Sequence, residues 1–173
     1  FGATGPKPGT EGDRTTLNVG RLNSRTGGSA PYATSQLIYH IFDKVPKSVV
    51  YVGESYVSWI PFNMNRQNEY YIRYQHREDN LHLKKLPSEY YRDNMKFSFI
   101  HERSAMDLRY HIGIDLLMWG SDFPHTANTY PWSVVSLDEM FSDVPADERR
   151  RVLIETPCEL FGLDPNADIT PTP

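Results

Sequence analysis

Residues 116–125 read Leu116-Leu117-Met118-Trp119-Gly120-Ser121-Asp122-Phe123-Pro124-His125. The apolar run stops at a glycine and then presents Asp122 and His125 in a proline-fixed turn. A strand covered on both faces reads as a near-continuous hydrophobic stretch rather than an alternating one. In barrels and doubly wound sheets, chemistry collects beyond the carboxyl ends of such strands. The stretch therefore predicts a buried parallel strand that carries an acid, Asp122, to a catalytic position. An aspartate here has a second reading, as a simple cap on the following turn.

The surrounding pattern is α/β. Leu37, Ile38, Ile41, Phe42 and Val45 mark one face of a helix that Pro46 ends. Residues 49–52 are β-branched and aromatic and predict a short strand closing at Gly53-Glu54-Ser55. Residues 61–86 interleave aromatic and charged side chains, which predicts one long helix or two. A second strand is expected over 96–100, a short helix over 106–112 and the third strand over 116–119. Two helices follow, over 131–141 and 146–155; Pro145 suits the first turn of the latter, and Asp147 and Glu148 its positive end. Strands alternating with helices imply parallel pairing. Three strands are too few to close an eight-stranded barrel, which typically takes about 250 residues. If the fold is a barrel, this chain supplies its last portion. Upstream residues or a partner chain must then cover the open sheet edges.

Seven of the eleven glycines fall before residue 29, so residues 1–30 are expected to be loop. In one reading the loop is a lid whose Arg21 and Arg25 bind an anionic substrate; in the other it is a solvated tail. Residues 31–164 form the expected body and 165–173 a tail.

The formal net charge of -4 gives no basic footprint for nucleic acid. No apolar run approaches the roughly 20 residues that span a bilayer, and the amino end lacks the features of a secretion signal. Cys158 is the only cysteine, which favours a reducing compartment. A cytoplasmic protein without membrane or nucleic-acid partners is expected. A chain starting at Phe1 is expected to be a processed product, a natural subunit or part of a longer polypeptide. His40, His76, His82, His101 and His111 show no His-x-His spacing. The serines lack a nucleophile elbow and the glycines lack a nucleotide fingerprint.

A set of ordered motifs is more specific. Trp119-Gly120-Ser121-Asp122-Phe123-Pro124-His125, Tyr130-Pro131-Trp132, Val144-Pro145-Ala146-Asp147-Glu148-Arg149-Arg150 and Glu159-Leu160-Phe161-Gly162-Leu163 resemble the carboxyl-terminal signature of the amidohydrolase-related family. That family includes aminocarboxymuconate-semialdehyde, resorcylate and dihydroxybenzoate decarboxylases. Gly53-Glu54-Ser55, Trp59-Ile60-Pro61-Phe62 and Leu86-Pro87-Ser88-Glu89-Tyr90-Tyr91 resemble segments around the sixth and seventh strands of its TIM barrel.

The resemblance implies a divalent metal at the carboxyl mouth of the barrel, zinc as the first expectation and manganese as the alternative. In the family, histidines from the first, fifth and often sixth strands hold the metal with an aspartate after the eighth. Asp122 matches that aspartate, as a ligand and proton carrier. His125 matches a histidine that orients substrate, relays a proton or hydrogen-bonds Asp122. Glu54 stands where many relatives carry the sixth-strand histidine, either as a ligand or set back from the metal. Trp59 is expected to wall the substrate pocket, with core packing as its rival role.

The implied reaction is hydrolysis by metal-activated water or metal-assisted decarboxylation of a small carboxylated or aromatic substrate, with hydrolysis the more general label. It requires the amino-terminal barrel portion, on this or a partner chain, that carries the other ligands. A competing reading is a non-catalytic barrel subunit that uses residues 62–91 in assembly. An unfinished sheet and an aromatic-rich segment predict an oligomer in either case.

Overall fold

Alternation along one strand organises the molecule. In β2 (Met95–Phe99) the side chains of Met95, Phe97 and Phe99 are buried in the main core, while Lys96 and Ser98 take the opposite face. β1 (Val50–Val52) pairs with β2 in parallel, Val52 opposite Phe97. β3 (Leu117–Trp119) pairs with its other side, Phe97 opposite Leu117. The sheet order is β1-β2-β3, so among the described residues β1 and β3 are both edges. A computed structural model describes the backbone of residues 19–77 and 82–167, and side chains from Ser29 onward within those spans.

Helices pack around this sheet. They are α1 (Val19–His40), α2 (Ile60–Tyr74), α3 (Pro87–Asn94), α4 (Arg103–Asp107), α5 (Arg109–Ile112), α6 (Ser133–Met140), α7 (Ala146–Arg150) and α8 (Thr156–Phe161), the last two joined through a wide π-type turn at Arg151–Glu155. Ile38, Phe42, Ile60, Met64, Tyr90 and Tyr91 close over Met95 and Phe97 in one core. Pro87 opens α3, where its missing N–H costs nothing, and Glu89 Oε2 accepts the Leu86 N–H at 2.7 Å. Gly162, at φ 68, ends α8 in the left-handed conformation that glycine adopts without penalty.

The other sheet face is incomplete. Phe161 stands edge-on to Tyr51 with ring centroids 5.9 Å apart, yet Tyr51 stays 43% exposed. A parallel sheet is normally covered on both faces. Among the described residues, no helix is long and apolar enough to cross a membrane.

Three expectations change. α1 begins at Val19 and carries Pro31 inside it, so residues 19–30 are helical rather than loop; residues 1–18 lie outside the described residues. Each helical glycine costs only about 1 kcal/mol against alanine, and a helix whose far end is anchored in the core at Ile38 tolerates that. Of the one or two helices expected over 61–86, the described residues hold one, α2, which stops at Tyr74, and α3 begins beyond that range at Pro87. The last helical run reaches Phe161, six residues beyond the expected end.

The tie between α5 and α7 is pH-sensitive. Arg109 Nε lies 2.6 Å from Glu148 Oε2, with both side chains largely buried, and the Tyr110 hydroxyl donates to the other Glu148 oxygen. These partners, the Tyr110 hydroxyl first, hold the Glu148 carboxyl below the usual glutamate range. A depressed carboxylate stabilises above its unfolded pKa, and that contribution is lost as pH falls through the lower folded value. Glu148→Gln should therefore lower the melting temperature at pH 7 and lower it less at an acidic pH below the ordinary glutamate range. Thermal melts at the two pH values check this, and an equal drop at both would remove the ionic contribution.

Candidate active site at the carboxyl rim

Two loops meet where the strands end. After β3, the Gly120 N–H continues the ladder to Phe99 O at 3.1 Å, and Trp119 Nε1 donates to Ile100 O at 2.8 Å. These bonds fix the chain just before Asp122. The Asp122 side chain is only 9% exposed and its Oδ2 lies 3.2 Å from His125 Nδ1. The His125 backbone N–H also donates to Asp122 O at 2.8 Å. The two residues thus form one compact turn, with the outer part of the imidazole open at the surface.

The loop after β1 brings Glu54 to the same place. Hydrogen bonding to the neighbouring Asp122 carboxyl, with some desolvation and the like charge of Asp122, raises the Glu54 carboxyl above its ordinary range. Two carboxylates so close either share a proton or enclose a cation. Glu54 at φ 53, Tyr56 at φ 52 and Asp122 at φ 61 are the non-glycine residues with left-handed backbone among the described residues. That conformation costs about 1–2 kcal/mol per residue, and its occurrence on these two rim loops fits a functional site held against strain.

Paired carboxylate oxygens suit a hard divalent cation. Their donor set fits a metal as part of a larger set. Among the described residues no three His, Cys, Asp or Glu side chains are grouped to hold an ion. Phe123 and Tyr130 flank the turn, edge-to-face at 4.9 Å and largely exposed.

Of the residues expected from sequence, Asp122, His125 and Glu54 come together. Trp59 does not join them. Its ring packs on Phe97 at 5.9 Å and Tyr91 at 6.5 Å, on the helix side of the sheet. Its Nε1 donates to Ser55 O and Tyr56 O at 3.1 and 2.9 Å. The indole supports the loop from behind instead of walling a pocket, because its N–H and its ring are both committed there. The side chains of Arg21 and Arg25 lie outside the described residues. Sequence reasoning missed Ser98, whose Oγ accepts the Glu54 N–H at 3.0 Å, and Glu102, whose carboxylate accepts the Val57 and Ser58 N–H groups. A serine between two phenylalanines in a buried strand was the one available signal; Glu102 gave none.

Solved structures share this fold. An amidohydrolase from Mycobacterium avium subsp. paratuberculosis K-10 superposes with a TM-score of 0.69 at 18% identity, over 84% of this chain and 36% of that protein. 5-Carboxyvanillate decarboxylase from Sphingomonas paucimobilis gives 0.66 at 22% identity, over 80% and 41%. Dihydroxybenzoic acid decarboxylase from Polaromonas sp. JS666, solved with manganese and the inhibitor 2-nitroresorcinol, gives 0.60 at 16% identity, over 76% and 39%. The chain thus spans less than half the length of these structures, and its three parallel strands with their helices are part of a TIM (β/α)8 barrel. A search of curated proteins returns no match. The amidohydrolase family model matches residues 29–163, and the chain belongs to that family.

Proposed function

We propose that this chain supplies the carboxylate side of a divalent-metal site in an enzyme that decarboxylates a small aromatic acid. The observation that carries this reading is the convergence of Glu54 and Asp122 from two rim loops, both at positive φ, with His125 on Asp122, at the carboxyl rim of a parallel sheet. Manganese is the preferred ion: the donors here are hard oxygens, and the Polaromonas relative was solved with manganese. Zinc, the first expectation from sequence, is the alternative. The remaining ligands come from an upstream barrel portion, on the same polypeptide or a partner, that also covers the two sheet edges. We assign the assembly to the cytoplasm.

When bound, the metal supplies Lewis-acid polarisation of a substrate oxygen. The residues of this chain do the rest. Asp122 and Glu54 would hold the ion. Asp122 carries the proton that replaces the departing carboxyl group on the ring carbon, as carbon dioxide leaves. His125 orients Asp122 through Nδ1 and keeps Nε2 for the substrate carboxylate. Phe123 and Tyr130 offer rings against which an aromatic acid can stack. Hydrolysis by a metal-activated water would use the same groups, and the Mycobacterium relative is an amidohydrolase. Exposed Phe62 and Ile72 on α2 favour an added role in assembly.

Metal analysis of the complete protein tests the reading. Stoichiometric divalent metal is expected, with Glu54→Gln weakening manganese affinity at least about tenfold. Absence of stoichiometric metal from a folded, complete assembly overturns it. Release of carbon dioxide from a hydroxylated benzoate, against hydrolysis of an amide or lactone, separates the two reactions.

A further inference from the structure

We infer that Glu102 and Ser98 are positioning residues that fix the loop presenting Glu54 to Asp122, an inference that rests on the metal-site reading above for its functional consequence. The loop from Gly53 to Trp59 holds two residues, Glu54 and Tyr56, at positive φ. Non-glycine residues persist there only when their surroundings over-determine them. The restraints come from the neighbouring strand and its loop. Ser98 Oγ, on a residue 3% exposed, accepts the Glu54 N–H at 3.0 Å and shares a hydrogen bond of 2.8 Å with the Tyr51 hydroxyl. At the other end of the loop, Glu102 Oε2 accepts the Val57 N–H at 2.8 Å and Oε1 the Ser58 N–H at 2.9 Å.

Glu102 is 8% exposed, and among the described residues it has no cationic partner. A buried carboxylate is retained only where its charge is compensated. Here the compensation is the pair of amides just before α2, each a charge-assisted hydrogen bond. Its own N–H donates to Met140 Sδ at 3.1 Å, which ties the acid to α6. The hydroxyls of Ser58 and Ser104 add a contact of 2.6 Å between this loop and the first turn of α4. The middle strand and the turn that follows it therefore grip the neighbouring strand's rim loop at both ends, and Glu54 sits inside the grip. Neither Glu102 nor Ser98 is assigned contact with substrate or metal; Ser98 acts through the Glu54 backbone and Glu102 through the backbone of Val57 and Ser58 in the same loop.

The test uses the complete enzyme containing this chain. In Glu102→Gln one amide end opposes an N–H, so one of the two backbone bonds is lost. Backbone amides of Val57 and Ser58 should exchange at least about tenfold faster, and manganese affinity should fall about 10- to 100-fold, the range for residues that orient ligands. Glu102→Asp, which keeps the charge, should recover part of that affinity. Ser98→Ala releases the other anchor and serves if Glu102→Gln fails to fold. Phe42→Leu, destabilised in the core away from the rim, should leave manganese affinity intact.

Unchanged exchange at Val57 and Ser58 overturns the grip itself. Faster exchange with wild-type manganese affinity overturns the positioning role, as does an equal loss of affinity in Phe42→Leu. Asp122→Asn with wild-type manganese affinity overturns the metal-site reading, and the exchange measurement then still decides whether the grip exists.

Discussion

Asp122→Asn is expected to lower turnover of the complete enzyme about 10³-fold, within the range that positioned acid–base groups contribute, with the fold unchanged. The substitution is chosen for its backbone. Asp122 sits at φ 61, and asparagine is the other non-glycine residue that visits the left-handed region readily. Its side chain has the same shape, so an oxygen remains to accept from His125 Nδ1, now 3.2 Å from Asp122 Oδ2. What disappears is the negative charge and the capacity to carry a proton. Steady-state kcat, with circular dichroism and a melting curve to check folding, reads the effect. Wild-type turnover in a folded Asp122→Asn enzyme would exclude the role assigned to this carboxylate. A loss that tracks a collapse in melting temperature would make the residue structural.

Asp122 was legible because burial and termination both leave marks in sequence. An apolar run over 116–119 announces a strand covered on both faces, and the Gly-Ser-Asp-Phe-Pro-His turn says where it stops. The same logic found β1 and β2 within a residue at each end. Helix α1 was harder. Gly20, Gly27 and Gly28 weigh against a helix locally, while the anchor that favours it, Ile38 and Phe42 against α3 and β2, is a tertiary contact. Glu54 was reachable only through resemblance, since nothing in Gly-Glu-Ser says that the acid will meet Asp122 across two strands. Trp59 illustrates the limit differently. A tryptophan beside a candidate site reads equally well as wall or as packing, and only the direction of the ring, onto Phe97 and Tyr91, decides. Glu102 was invisible because its partners are backbone amides 44 and 45 residues away. Any residue but proline at 57 and 58 would present the same N–H groups, so the sequence carries almost no trace of the pairing.

Phe97→Ala should cost the protein about 3–5 kcal/mol of stability, the usual range for truncating a buried aromatic residue. Against a typical total of about 5–15 kcal/mol, that is a large fraction. Phe97 is fully buried, lies opposite Val52 on one side and Leu117 on the other, and stacks on Tyr91 with centroids 6.0 Å apart. Val52, Leu117 and Tyr91 around it belong to the strands and α3, whose backbone pairing and packing limit how far the space can close. Urea unfolding should show a lower midpoint with an unchanged slope, and Phe97→Leu, with a smaller volume change, a smaller loss. A cost below about 1 kcal/mol for the alanine variant would mean that the core relaxes around the cavity, contrary to the packing described here. The consequence reaches the rim as well. Trp59 rests on Phe97 at 5.9 Å and holds Ser55 and Tyr56 from behind, so the cavity removes the seat of the Glu54 loop. Manganese affinity should therefore fall in Phe97→Ala even at temperatures where the protein remains folded. Along β2, Phe97 points to the core and Ser98 to the loop, and this alternation lets one strand stabilise the sheet and aim its neighbour's acid.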